Sequence, residues 1–72
     1  MEGSKKFRTK GKDIAMIKAV LDGYEHVALL SVLDGKSGLI ELSYPLGTEE
    51  TVLHILKSLR DEGIGLEEAE DV

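Results

Sequence analysis

Residues 27 to 44 read VALLSVLDGKSGLIELSY, two leucine- and β-branched-rich runs on either side of a polar connection, Asp34-Gly35-Lys36-Ser37-Gly38. This pattern predicts a β-hairpin with a bulged loop or one longer than two residues, and a hairpin so apolar has to be covered by the rest of the chain. Its register matters because a slip of one residue turns every side chain to the other face. With Leu33 opposite Leu39, Ala28, Leu30 and Val32 share a face with Ile40, Leu42 and Tyr44, apolar apart from the tyrosine hydroxyl. The other face takes Val27, Leu29, Ser31 and Leu33 beside Leu39, Glu41 and Ser43, a more apolar set than a solvated face requires.

The flanking segments supply the cover. Lys5 to Lys10 reads as a short strand in which Phe7 and Thr9 alternate with Lys6, Arg8 and Lys10, so that one face is basic. Gly11 and Lys12 turn the chain, and Asp13 stands at the N-cap of a helix with Ile14, Ile17, Val20, Leu21 and Tyr24 at helical spacing; Asp22-Gly23 weakens its end. After the hairpin, Pro45 and Gly47 stop the strand, and Thr48 can cap a second helix whose buried stripe is Val52, Ile55, Leu56 and Leu59. Glu49 and Glu50 complement the positive end of that helix, Lys57 and Arg60 its negative end. Gly63 falls where a helix C-terminus favours a left-handed residue, and Ile64 and Leu66 can begin a last strand.

The resulting order, β-α-β-β-α-β, predicts an α+β fold: a ferredoxin-like plait with an antiparallel four-stranded sheet and both helices on one face. In that arrangement the first and third strands are central and the fourth lies beside the first. Residues 1–72 then make a single domain, with residues 1–4 and 70–72 frayed. The basic beginning (Lys5, Lys6, Arg8, Lys10, Lys12) and the acidic end (Asp61, Glu62, Glu67, Glu68, Glu70, Asp71) become neighbours, and opposite charges across strands contribute about 0.2 to 1 kcal/mol each.

A chain of this size buries roughly 60% of its unfolded surface, which leaves a lone domain marginal. With no cysteine, neither a disulfide nor a thiolate metal site can supplement the core, so self-association, most simply a homodimer, is the expected supplement. No apolar run reaches the ~20 residues of a membrane span, and MEGSKKFRTK has no signal-peptide core; a cytoplasmic protein is expected. Asn, Gln and Trp are also absent while 32% of residues are charged, a composition like that of thermophile proteins.

Asp13-Ile14-Ala15-Met16, Lys18, Tyr24-Glu25, Leu33-Asp34 and Gly38 together resemble a short uncharacterised bacterial family, one of the domains of unknown function, over roughly residues 5 to 62. The order of elements also looks like that of ACT-type regulatory domains, which implies a regulatory role in which a small effector binds near a subunit interface.

Other chemistries carried by this fold lack their residues. Metal chaperones need a Cys-x-x-Cys, the acylphosphatase type an asparagine, and RNA-binding versions aromatic residues on the central strands, where this chain offers no glycine-aromatic pattern. No nucleophile stands at recognisable spacing from a histidine and no glycine loop can cradle a phosphate, so neither enzymatic activity nor a cofactor is expected. His26 and His54 have no ligand spacing around them, and no metal site is expected. Lys10, Gly11, Lys12 and Asp13 form the best candidate ligand site, because a helix N-terminus offers N–H donors to a small anion; equally, Asp13 can take those donors itself and leave the lysines in solvent. Val27, Leu29, Leu33 and Leu39, with Lys6, Arg8 and Glu41 around them, compose the candidate interface, an apolar centre with a charged rim. A second copy, another protein or a small anion are the expected partners, and nucleic acid and membrane are not.

Overall fold

A computed structural model of the chain describes residues 2–24 and 27–69. Strand β1 (Glu2–Arg8) leads through a single 3-10 turn into helix α1 (Ile14–Asp22). β2 (Leu29–Asp34) and β3 (Leu39–Pro45) form the hairpin, and a second 3-10 turn leads to α2 (Glu49–Asp61) and a short β4 (Glu67–Glu68). The protein is thus α+β, with a four-stranded antiparallel sheet in the order β2-β3-β1-β4 and two helices. β1 and β3 are central, and β4 lies beside β1.

The hairpin register follows the alternation of its side chains: Leu29 faces Ser43, Leu30 faces Leu42, Ser31 faces Glu41 and Val32 faces Ile40. At the next rung a bulge brings Asp34, rather than Leu33, opposite Leu39. One sheet face therefore carries Phe7, Ile40, Leu42 and Tyr44, all buried, and the buried stripes of α1 (Ile17, Leu21) and α2 (Val52, Ile55, Leu56, Leu59) join it in one cluster. Each such side chain contributes about 1.5 to 3 kcal/mol through burial, so the helices hold this face and leave the other open.

The end of α2 matches its sequence closely. Gly63 adopts φ 97°, its N–H donates to Arg60 O and the Ile64 N–H to Leu59 O, both at 3.0 Å. That is a Schellman motif, and its usual hydrophobic contact is supplied by Leu59 and Ile64, both in the core.

Several boundaries differ from the sequence reading. β1 begins at Glu2 and ends at Arg8, where Lys5 to Lys10 was expected, because pairing with β3 reaches to Glu2 opposite Pro45 and the Thr9 N–H turns to Gly38 O at 2.9 Å. Residues 2–4, expected to fray, are therefore in the strand. β4 is only Glu67–Glu68; Ile64 and Leu66 are buried ahead of it, where Arg60 Nε donates to Leu66 O at 3.1 Å. Asp13 and Thr48 stand at the N-cap positions without a side-chain cap bond. The Thr48 hydroxyl instead lies 2.9 Å from the carbonyl oxygens of both Val27 and Pro45, tying the entry of α2 to the approach to β2. Tyr24 follows α1 and is exposed, whereas Tyr44 is buried and its hydroxyl donates to Glu49 Oε2 at 3.1 Å. Burial, then the Glu49 carboxylate, holds that phenol above its usual pKa. Glu25, His26 and residues 70–72 lie outside the described residues.

Candidate functional site

The segment carrying Lys10, Gly11, Lys12 and Asp13 packs on the hairpin loop. Besides the Thr9–Gly38 hydrogen bond, a Cβ on Gly11 would stand 3.1 Å from Gly35 O, and one on Gly38 only 1.7 Å from Thr9 O. Gly38 has φ 74°, a conformation that L side chains avoid. The close approach thus depends on glycine in both space and dihedral. Within the loop, Asp34 Oδ1 accepts from the N–H of Lys36 at 3.0 Å and of Ser37 at 3.4 Å. The Ser37 hydroxyl, these two N–H groups and, more weakly, the nearby Arg8 hold the Asp34 carboxyl below its usual pKa.

The consequence is a pair of apposed loops bearing Lys10 and Lys12 on one and Lys36 on the other, all exposed. Asp34 is turned to its own loop's backbone, and Asp13, half-buried, gives its N–H to Lys10 O at 2.9 Å. Lys36 and Ser37 did not enter the sequence-derived site. Spacing could not have joined them to Lys10, since the two loops meet only through the fold. The Thr9 hydroxyl at this junction is buried without a hydrogen-bond partner among the described residues.

The second candidate surface is the open sheet face. The register places Ser4, Lys6 and Arg8 of β1, Leu39, Glu41 and Ser43 of β3, and Leu29 and Ser31 of β2 there. Lys6 stands directly opposite Glu41, and Glu41 opposite Ser31, so the middle of this face is polar. The expected apolar centre with a charged rim is corrected accordingly: the exposed apolar side chains collect on the β2 side, with Leu29 68% and Leu33 46% exposed and Leu39 half-buried. Val27 leaves the set, because it precedes β2 and packs against the core. The cause is the bulge and the short β2, which place Leu33 and Leu29 at the corners of the face and the Lys6–Glu41 rung between them.

A cleft of about 320 Å³ lies on the β4 side, lined by Ser4, Lys5, Lys6, Glu41, Glu68 and Ala69. Lys5 Nζ pairs with Glu68 Oε1 at 3.5 Å, and the Ala69 N–H donates to Lys6 O at 2.9 Å. The two ends of the chain do meet as their charges predict, but through Lys5 and Glu68, with Arg8 facing Glu67 across the strands. Both sides of this ion pair are partly solvated, so it contributes at most about 1 kcal/mol.

Among the described residues no group of three or more His, Cys, Asp or Glu is placed to hold a metal ion, and His54 is exposed on α2. No helix among them is long and apolar enough to cross a membrane.

The profile of a family described as a domain of unknown function (DUF4911) matches residues 7–62. No curated protein and no solved structure matches. The matched span takes in both candidate surfaces except Ser4 and Lys6 of the open face, and of the cleft it includes Glu41 alone.

Proposed function

We propose, from the premise that this chain belongs to the DUF4911 family, that it is a non-enzymatic, ferredoxin-like module that acts by associating with a second copy of itself. The strand order β2-β3-β1-β4, with both helical stripes packed into one cluster, supports the plait. One observation carries the association: among the described residues the exposed large apolar side chains of the sheet are Leu29, Val32 and Leu33, all on β2, while the middle of the open face, around Lys6 and Glu41, is polar. A protein this small gains stability by burying such a patch.

Equilibrium sedimentation tests it. The native chain is expected to form a dimer, and Leu29→Glu, whose side chain points away from both helices, a folded monomer. A native chain that stays monomeric at high micromolar concentration refutes the reading. If Leu29→Glu fails to fold, Leu33→Ser makes the same test at a second exposed position.

A second reading adds a ligand. The apposed loops gather Lys10, Lys12 and Lys36 near the N-terminus of α1, which favours a small anionic effector bound at Lys10, Gly11, Lys12 and Asp13 in an ACT-like regulatory role. A thermal-shift screen against nucleotides, organic acids and amino acids decides this, since a ligand at 100 times its Kd stabilises by about 2.7 kcal/mol. No shift across the panel leaves a structural or adaptor module whose ligands are proteins.

A further inference from the structure

Half of the backbone N–H and C=O groups of an edge strand point away from the sheet, and proteins commonly blunt such an edge with lysine, proline, a very short strand or a covering segment. The β4 edge follows this pattern, being two glutamates long. The β2 edge carries only a bulge, between Val32 and Asp34 at its hairpin end. Leu29–Asp34 reads LLSVLD, with no lysine or proline and its one charge at the end. Its apolar side chains are exposed on both faces of the sheet, Leu29 on the open face and Val32, 51% exposed, on the helix face. Met16 on α1, the helix that contacts β2, and Tyr24, two residues past its end, are also exposed. They lie four residues either side of the half-buried Val20 and so continue one stripe. A strand added in the plane of the sheet covers an edge that is apolar on both sides, whereas a partner laid flat against one face covers only half of it.

The geometry points to a second copy of this chain as that strand, with β2 antiparallel to the partner's β2 about a two-fold axis at Ser31, so that the two sheets become one of eight strands. This rests on the self-association reading above and specifies its contact. About Ser31 the strand is self-complementary: Leu29 meets the partner's Leu33 on the open face, and Leu30 meets the partner's Val32 on the helix face. An axis at Leu30 or Val32 preserves the faces but sets a leucine against serine, and at Val32 it also sets Leu30 against the partner's Asp34. Pairing about Ser31 uses the same patch on both copies and leaves the acidic β4 edges outermost, so the assembly closes as a dimer and does not grow into a fibre. A six-residue strand is about 20 Å long. The contact is therefore at the small end for a stable complex, and the dimer should depend on concentration.

Because the chain has no cysteine, single introduced thiols report proximity. Ser31→Cys places two opposed Cβ atoms about 5 Å apart, near disulfide reach, and is expected to cross-link under mild oxidation. Glu41→Cys lies on the same face one strand inward, so its two copies are three strand spacings, about 14 Å, apart and should not cross-link. Val32→Lys points to the helix face, where it leaves a flat face-to-face contact untouched but puts a lysine on each side of the proposed seam. It is expected to weaken the dimer at least tenfold in sedimentation velocity, with the circular dichroism spectrum of the monomer unchanged. A Val32→Lys dimer as tight as the native one, or cross-linking through Glu41→Cys and not Ser31→Cys, overturns the edge geometry while leaving self-association in place. A monomeric native chain overturns both.

Discussion

Replacing Gly38 by alanine should be among the most damaging single-methyl changes in this protein. Its φ of 74° costs a non-glycine residue about 1 to 2 kcal/mol. The added Cβ would also lie 1.7 Å from Thr9 O, so the two backbones must separate by more than an ångström. That movement breaks the Thr9–Gly38 hydrogen bond, worth about 1 kcal/mol, and disturbs the chain two residues from the buried Phe7, for which strain of about 1 to 3 kcal/mol is ordinary. The sum, about 3 to 6 kcal/mol, is a large part of the roughly 4 to 11 kcal/mol expected for a chain of this length. Two other glycines separate the causes. Gly63 has φ 97° but open space around its Cβ position, so Gly63→Ala should cost only the dihedral term, about 1 to 2 kcal/mol. Gly47 has neither restriction, and Gly47→Ala should be neutral or slightly stabilising. Urea unfolding followed by circular dichroism, at one low protein concentration so that association does not add to stability, gives the three values. Outright unfolding of Gly38→Ala agrees with the upper end of the range. A Gly38→Ala protein within 1 kcal/mol of Gly63→Ala would refute the argument that the loops are locked together at this contact.

Deleting residues 64–72 removes Ile64 and Leu66 from the core and the Lys5–Glu68 pair from the sheet edge; at about 1.5 to 3 kcal/mol per buried side chain the melting temperature should fall sharply, and an unchanged one would contradict the packing of the tail. Tyr44→Phe removes the hydrogen bond to Glu49 and should destabilise the protein by about 1 kcal/mol at neutral pH. The phenol of Tyr44 has its pKa raised above 10.0 in the folded state, so its contribution is complete below pH 10 and is lost as pH rises through the folded value. The native protein should therefore lose stability above pH 10 more steeply than Tyr44→Phe, and parallel alkaline profiles from urea titrations would count against that linkage.

The sequence by itself determined the element order, the two helix stripes and the terminating role of Gly63, because each depends on interactions within a few residues. Periods of two and 3.6 place Leu30, Leu42, Ile17 and Leu56 on faces whatever those faces meet, and a helix end selects its own left-handed residue. The faces of the hairpin were legible for the same reason, since alternation puts Ile40, Leu42 and Tyr44 on a common side with Leu30, but the pairing itself also depends on the loop, where a bulge brings Asp34 and not Leu33 opposite Leu39. What tertiary structure alone decided are the relations between segments distant in sequence. The strand extends to Glu2 because β3 is long enough to pair with it; the Tyr44 hydroxyl is satisfied because Glu49 begins the next helix beside it; and Lys36 joins Lys10 and Lys12 because Gly38 lets one loop lie against Thr9. The apolar surface shows the difference most clearly. The alternation in the sequence assigned Leu29 and Leu33 to the open face, but their place along an edge strand, away from a polar centre, follows from strand order and from a bulge at Leu33. Neither leaves a periodic trace in the residues, because both arise from hydrogen bonding between strands and not within one.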